Sequence, residues 1–422
     1  MKEENRLRLS QCMIVKNEED NIERALTWGR DIMCEQIVID TGSTDRTVEL
    51  AWALGAKVYY FEWNDDFAAA KNYAIEQASG DWIAFLDADE YVKAEDVGKL
   101  FSFIQQAEEQ GYCGLQASLF NINYQEEVSS FIKQVRFFKS MPELRYKGMI
   151  HEQLELSDGR RFYERVLDAS ESVSIFHTGY IPAVMEKKQK TERNERILQK
   201  ALELSPENYH IMGDLGDHYL SKDKQLAEYW YREAVRRIPR VSLAQHDRNV
   251  KTFLCLMEIL YDRKDEFGLI QIYEDISSRF TGIYDADYIL GKFYVTVQMD
   301  YQKGAYYLEH AFQLLEQYGN QNYSPMMIKE FLAAWEMLAA CHYSNQKLAK
   351  CVSCCVGVLK MDKSRSAALE LLLRAFAFEK PDSIVQFLGK LYDFKSAEDY
   401  HILCQACKNT GSSDVLQLLC NI

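Results

Sequence analysis

The chain has 422 residues, 47% of them apolar, and a formal charge of −15. That length allows two or more domains with sizeable cores. Six prolines and no low-complexity run argue against long disordered linkers. The acidic balance disfavours non-specific binding to nucleic acid or anionic lipid, which needs Lys and Arg against phosphate; no nucleic-acid partner is expected. No apolar run reaches the roughly 18–20 residues of a transmembrane segment. The charged start, Met1 to Arg6, has no apolar core behind it, so no signal peptide is read there. Eleven cysteines, mostly in apolar-patterned helical sequence, suit reduced thiols and a cytoplasmic location.

From residue 9 to residue 90 strands and helices alternate. Leu9 to Val15, Gln36 to Ile39, Lys57 to Phe61 and Trp82 to Leu86 read as strands. Asp20 to Trp28, Asp45 to Leu54 and Phe67 to Ala78 read as helices. This order calls for a parallel sheet with covering helices. Gly114 to Ile122, Phe131 to Phe138, Lys147 to Leu156 and Val173 to Phe176 read as further strands that extend the sheet and wall a cleft. From Pro182 the sequence is helical. Leu215, Gly216, Tyr219, Ala227, Tyr231, Ala234 and Pro239 fit the 34-residue tetratricopeptide pattern with one residue missing. Ala201 and Pro206 match the end of an earlier unit. Leu290, Gly291, Tyr294, Gly304, Leu308 and Ala311 fit a later one, and Trp335, Leu338, Ala339, Cys351 and Cys355 another. The expected division is an α/β domain over 1–181 and an all-α helical-repeat domain over 182–422.

The loops after the strands carry the chemistry. Asp87-Ala88-Asp89 follows a short apolar run that reads as a buried strand, at the end where open α/β sheets bind ligands. Two carboxylates there repel unless a cation lies between them, which points to a divalent metal facing a polyphosphate. Val15 to Glu18 forms the first loop, where Asn17 is also a candidate helix cap. Asp40 ends the second strand, where a carboxylate can accept an N–H from a nucleobase edge; Asp45, beyond Gly42, reads as a structural cap. Lys71 is a solvated charge unless its helix aims it at phosphate. The pairs Cys351/Cys354 and Cys404/Cys407 have zinc-like spacing but fall on packing positions of helices, where cysteine behaves as a small hydrophobe.

Met13-Ile14-Val15-Lys16-Asn17-Glu18-Glu19, Asp40-Thr41-Gly42-Ser43-Thr44-Asp45 and Leu86-Asp87-Ala88-Asp89-Glu90 occur in that order over residues 9–180. The set resembles the inverting family 2 glycosyltransferases of GT-A fold (Rossmann-like, mostly parallel sheet). Arg136-Phe137-Phe138, Gly148 to Glu152, His177-Thr178-Gly179-Tyr180 and Arg193-Asn194 resemble the subgroup that includes lipopolysaccharide-core glucosyltransferases and the sublancin S-glycosyltransferase. The resemblance implies that Val15, Asn17 and Glu18 border the nucleoside of a UDP-sugar and that Asp40 binds the uracil edge. It implies that Asp87, Ala88 and Asp89 hold the sugar-nucleotide. Asp87, Asp89 and His177 would ligate Mn²⁺ or Mg²⁺. Lys71, where the subgroup has Arg, keeps the charge but loses the planar fork. Arg193, with Lys190, would fold over the diphosphate or belong to the first repeat helix. Glu152 is the candidate general base; its structural alternative is an ion pair with Arg136 or Arg145.

These expectations describe a metal-dependent transferase that moves a hexose from a UDP-sugar. Helical repeats make concave peptide-binding surfaces, which favours a peptide or protein acceptor bearing Ser, Thr or Cys. A cell-envelope glycan is the alternative acceptor, and joining two copies of the chain is the alternative role of the repeats. A competing class is a non-catalytic scaffold with a degenerate transferase domain. Against it stand the intact acids Asp40, Asp87, Asp89 and Glu152.

Overall fold

The structure is a computed structural model that describes residues 7–122, 127–178, 184–240, 247–319 and 326–421. Met1 to Arg6, the landmarks Gly179 and Tyr180, Pro182 and the side chain of Lys190 lie outside the described residues. The chain forms two compact units, Met1–Pro206 and Glu207–Ile422.

The first unit runs β1 (Leu9–Val15), α1 (Ile22–Thr27), β2 (Met33–Asp40), α2 (Thr47–Ala53), β3 (Lys57–Tyr60), α3 (Phe67–Gln77) and β4 (Trp82–Phe85). It continues with β5 (Glu90–Val92), α4 (Ala94–Glu109), β6 (Gly114–Ile122), β7 (Val128–Lys139), β8 (Leu144–Lys147), β9 (Gln153–Leu156), β10 (Val166–Asp168), β11 (Ser174–His177) and α5 (Val184–Leu204). One sheet has the order β3-β2-β1-β4-β7-β6-β11-β5, with β10 beside β6. Strands β3, β2, β1 and β4 are mutually parallel. β7 runs antiparallel to both β4 and β6, while β11 is parallel to β6 and antiparallel to β5. The sheet is therefore mixed but mostly parallel.

Sequence explains the centre of this sheet. Trp82, Ile83, Ala84 and Phe85 are fully buried, as expected of a parallel strand covered on both faces. Helix α3 buries Ala68, Ala70 and Ala74; their small side chains let it lie close to the strands. It starts where the Asp66 carboxylate accepts the Ala69 N–H at 2.8 Å, a side-chain cap. Because β1, β2 and β4 are parallel neighbours, their following loops emerge on one edge, where Val15 lies opposite Asp40.

Two parts differ from the sequence reading. Residues 147–156 are not one strand, and they do not extend the main sheet. β8 and β9 make a separate antiparallel pair, joined by a loop in which Gly148 has φ 96° and His151 has φ 54°. Backbone in the left-handed region cannot continue a strand, so Glu152 stands on a loop rather than at a strand end. Strand β5 and the sixteen-residue helix α4 were not anticipated.

The second unit is helical throughout its described residues: α6 (Tyr209–Tyr219), α7 (Lys224–Arg237), α8 (Asp247–Asp262), α9 (Glu266–Arg279), α10 (Tyr284–Thr296), α11 (Tyr301–Tyr318), α12 (Met326–Lys329), α13 (Phe331–Ser344), α14 (Leu348–Met361), α15 (Ser366–Ala375), α16 (Pro381–Leu388), α17 (Ala397–Thr410) and α18 (Ser413–Leu419). The repeat pattern marks where helices touch. A Cβ on Gly216 of α6 would stand 2.3 Å from the Tyr231 ring of α7. One on Gly291 of α10 would stand 2.9 Å from Leu308 of α11. Cys351, Cys354, Cys355 and Cys407 are free and buried, so they pack as small apolar groups.

Candidate active site

Two loops at the carboxyl edge of the parallel strands build the first part of the site. Asn17, with φ 57°, donates its backbone N–H to Ser43 Oγ at 2.9 Å. Its side-chain Oδ1 accepts the Thr44 N–H at 2.8 Å. Asn17 thus ties the first loop to the second and does not cap helix α1, whose N-cap is Asn21. Glu18 donates its N–H to Thr47 Oγ1 at 2.7 Å and accepts Asn21 Nδ2 on Oε2 at 2.8 Å. Val15 is buried, and its carbonyl accepts the Thr41 N–H at 3.0 Å. Asp40 accepts the Gly42 and Ser43 N–H groups at 3.1 Å each, which fixes the turn that frames the edge. Asp45 is structural as expected: it accepts the Thr47 N–H at 3.0 Å and the Glu19 N–H at 3.2 Å.

The second part is a charged cluster around Asp87. Lys71, only 5% exposed at its side chain, reaches Glu152 Oε1 with Nζ at 2.6 Å. Its ammonium lies 5.1 Å from the ring centres of both Phe85 and Tyr146, a cage that narrows its choice of position. Burial works against its charge, but Asp87, Glu152 and Tyr146 outweigh that and push its pKa up. Lys71 is therefore not the solvated surface charge that a lone helical lysine usually is. Glu152 pairs with Lys71, and neither Arg136 nor Arg145 is its partner. Arg145 donates instead to the Met141 and Leu144 carbonyls, at 2.7 and 2.8 Å. Arg136 Nη2 lies 2.5 Å from Glu90 Oε1 and 3.4 Å from Asp87 Oδ2. Burial raises the Glu90 pKa and the Asp87 charge adds to this, against the pull of Arg136.

Helix α3 and hairpin β8–β9 hold this cluster by backbone contacts. Asn72 accepts the Tyr146 N–H and donates Nδ2 to the Tyr146 carbonyl, both at 2.9 Å. The Phe67 N–H donates to the Met149 carbonyl at 2.9 Å. The Tyr146 hydroxyl is buried without a hydrogen-bond partner among the described residues.

The third part surrounds Asp89. Its Oδ2 lies 3.2 Å from His177 Nε2, and its carbonyl accepts the Thr178 N–H at 3.0 Å. The other imidazole nitrogen, His177 Nδ1, is 2.7 Å from Asn121 Oδ1. Burial pulls the His177 pKa down, but the hydrogen bond and charge of Asp89, with Glu90 and Asp87, outweigh it and leave the pKa raised. Ala88 is 3% exposed and packs with Met13, Val15 and Ile22 in a small core, so the loop presents its backbone rather than its methyl. Arg193 is placed apart from the acids, with its guanidinium 5.1 Å from the centre of the Phe67 ring at the start of α3. Burial, then the nearby Arg196 charge, lowers its pKa.

Of the residues marked in the sequence, Asp87, Asp89, Glu152, Lys71 and His177 lie around one strand end. The contacts of Arg136, Tyr146 and Asn121 in this cluster were not anticipated. Arg136 carried a signal, since an arginine within the apolar run Val135 to Phe138 needs a partner. Asn121 carried none, because its meaning depends on the strand paired beside it. Four acids, Asp87, Asp89, Glu90 and Glu152, stand close to only two permanent cations, Lys71 and Arg136, an acidic excess of the kind that a divalent cation can offset. The 3.2 Å between Asp89 Oδ2 and His177 Nε2 fits two adjacent ligands of one metal, since donors at ~2.1 Å around an octahedral ion lie about 3 Å apart. Among the described residues no group of three or more His, Cys, Asp or Glu is placed so that it could hold a metal ion; substrate oxygens or water would have to complete any shell around Asp89 and His177.

Residues 10–162 match the protein family described as Glycosyl transferase family 2. Residues 10–162 are thus similar to the family 2 glycosyltransferases; they lie on the mixed sheet, and a helical region follows. Among similar curated proteins, a TPR repeat-containing protein of Synechococcus elongatus is 31% identical over 54% of this chain and 57% of its own length. The SPbeta prophage-derived glycosyltransferase SunS of Bacillus subtilis is 26% identical over 65% of this chain and 64% of its own length. The chain spans less than two thirds of either relative. A solved structure, S. aureus TarS 1-349, aligns over 75% of this chain and 93% of its own length, with 13% identity and a TM-score of 0.31.

Proposed function

We propose that the protein is a metal-dependent inverting glycosyltransferase. It moves a hexose from a UDP-sugar to a Ser, Thr or Cys side chain of a peptide or protein. The observation that carries this reading is the convergence of Asp87, Asp89, Glu152, Lys71, Arg136 and His177 at one strand end within a family 2 domain. Asp89 and His177, with Asp87 beside them, would hold Mn²⁺ or Mg²⁺. When bound, the cation would supply positive charge to the diphosphate leaving group. Val15, Asn17, Glu18 and Asp40 would border the nucleoside through the loops that Asn17 ties together. Lys71 and Arg136 would add fixed positive charge where negative charge develops, and Arg193 would approach from the start of α3. Glu152 Oε2 would accept the proton of the acceptor nucleophile. Eleven free cysteines support a reducing, cytoplasmic setting.

The test is a pair of variants assayed with UDP-glucose and UDP-N-acetylglucosamine. Asp89→Ala abolishes turnover, while Glu152→Gln keeps UDP-sugar binding and loses transfer. Normal turnover by Glu152→Gln would remove the base assignment. Metal-dependent release of UDP without acceptor separates the enzyme from a non-catalytic scaffold. Transfer to glycans but to no peptide would move the acceptor to the cell-envelope class.

A further inference from the structure

Three strands meet where the candidate metal ligands stand. In the sheet register, His177 of β11 lies opposite Asn121 of β6, and Asn121 lies opposite Ser130 of β7. On its other side His177 lies opposite Glu90 of β5. Residues directly opposite each other on paired strands share a face, so one register row carries Glu90, His177, Asn121 and Ser130. The contacts along this row are directional. Asn121 Nδ2 donates to Ser130 Oγ at 2.9 Å. That bond fixes the amide so that its carbonyl oxygen, Oδ1, faces His177 Nδ1 at 2.7 Å. An amide oxygen has no proton to give, so Nδ1 must carry the hydrogen of a neutral imidazole. The lone pair then resides on Nε2, 3.2 Å from Asp89 Oδ2. A lone pair facing a carboxylate oxygen at that distance needs a proton or a cation between them.

We infer that Asn121 is a positioning residue of this site: it holds His177 in the Nδ1–H tautomer, so that Nε2 offers its lone pair beside Asp89 to a divalent cation. The inference rests on the proposed metal-dependent function and extends it to a residue that touches neither metal nor donor. Asn121 is 7% exposed, so its amide is packed in place. Outer partners of this kind set both the tautomer and the orientation of a histidine ligand, and their loss typically costs 10–100-fold in metal affinity. Thr178 supplies the matching constraint on the other ligand. Its N–H and Oγ1 both donate to the Asp89 carbonyl, at 3.0 and 3.2 Å. Asn121 and Thr178 thus fix the two ligands relative to each other.

The experiment uses the full chain and two readouts. Free Mn²⁺ is followed by electron paramagnetic resonance during titration, with and without UDP. The His177 tautomer is read from ¹⁵N spectra of metal-free protein labelled at histidine, with His177→Gln as the assignment control. Recording on the alkaline plateau of the His177 ¹⁵N titration keeps the imidazole neutral. The wild type shows the Nδ1–H tautomer. Asn121→Leu loses that preference and binds Mn²⁺ about 10–100-fold more weakly. Asn121→Asp, which keeps an acceptor oxygen in place, rescues both the tautomer and the affinity. Ser130→Ala weakens both in the same direction and serves if the leucine variant fails to fold. Wild-type affinity in Asn121→Leu or Ser130→Ala, or an Nε2–H tautomer in the wild type, overturns the inference. Absence of any Mn²⁺ binding by the wild type overturns the proposed metal dependence, and the tautomer readout then decides the part played by Asn121.

Discussion

At the scale of single residues, the Lys71–Glu152 pair is the contact with most consequence. Both groups are largely out of water, with side chains 5% and 14% exposed. Removing one partner of such a pair leaves an uncompensated charge, which typically costs 3–5 kcal/mol. Lys71→Met therefore lowers stability by about 3 kcal/mol, measured by urea unfolding. Combined with Glu152→Gln, the loss is smaller than the sum of the two single losses, because the second change removes the charge stranded by the first. Equal and additive losses would show that the two groups do not depend on each other.

At the scale of elements, the hairpin loop 148–152 decides where Glu152 stands. Gly148 has φ 96°, a conformation costing other residues roughly 1–2 kcal/mol. A Cβ there would meet nothing closer than the Ile150 carbonyl oxygen, 3.5 Å away, so backbone strain is the main penalty. Gly148→Ala should reduce stability by about 1 kcal/mol and lower the rate of transfer at least tenfold while UDP-sugar affinity stays unchanged. The reason is that the loop carries Glu152, the proposed acceptor-side carboxylate, whereas the loops proposed to border the nucleoside follow β1 and β2. An unchanged rate would detach Glu152 from the chemistry. The alternation of strand and helix over residues 9–85 was legible because each apolar run is short and bounded by turn residues. The 147–156 segment misled because its apolar alternation persists across the loop, and only the positive φ angles at Gly148 and His151 reveal the break.

At the scale of the whole molecule, acid and alkaline stability are set by different groups. Glu35 is pushed up by burial, but hydrogen bonds from Lys57, Ser10 and Ser79 outweigh this and hold it at about 2. A depressed carboxylate contributes stability above its unfolded pKa, and that contribution is lost as pH falls through the folded value. Asp285 acts in the opposite sense. It is fully buried, accepts the Met327 N–H on Oδ1 at 2.8 Å, and burial raises its pKa to about 7. Its contribution is complete below its unfolded pKa, near 4, and is lost as pH rises through about 7. Asp285→Asn, which keeps the oxygen that accepts Met327, should leave stability near pH 4 little changed and raise it above pH 8 by up to about 4 kcal/mol. Thermal or urea unfolding across that range checks it; a variant that tracks the wild type at every pH refutes it. No helix of the described residues is long and apolar enough to cross a membrane.

Sequence alone determined what depends on local order. Strand and helix follow from apolar period, the loops from turn residues, the repeat contacts from small residues such as Gly216 set against Tyr231, and the candidate donor-side acids from their place after apolar strands. Tertiary structure alone decided the partners. Glu152 met Lys71, some eighty positions away, rather than Arg136, because β8–β9 folds over α3. Arg136 went to Glu90 and Asp87 because β7 inserts antiparallel beside β4. Asn121 gained a role only when β11 paired with β6. Pattern is written residue by residue along the chain, but charge pairing and hydrogen bonding depend on separations of a few ångströms, which the packing of distant segments sets.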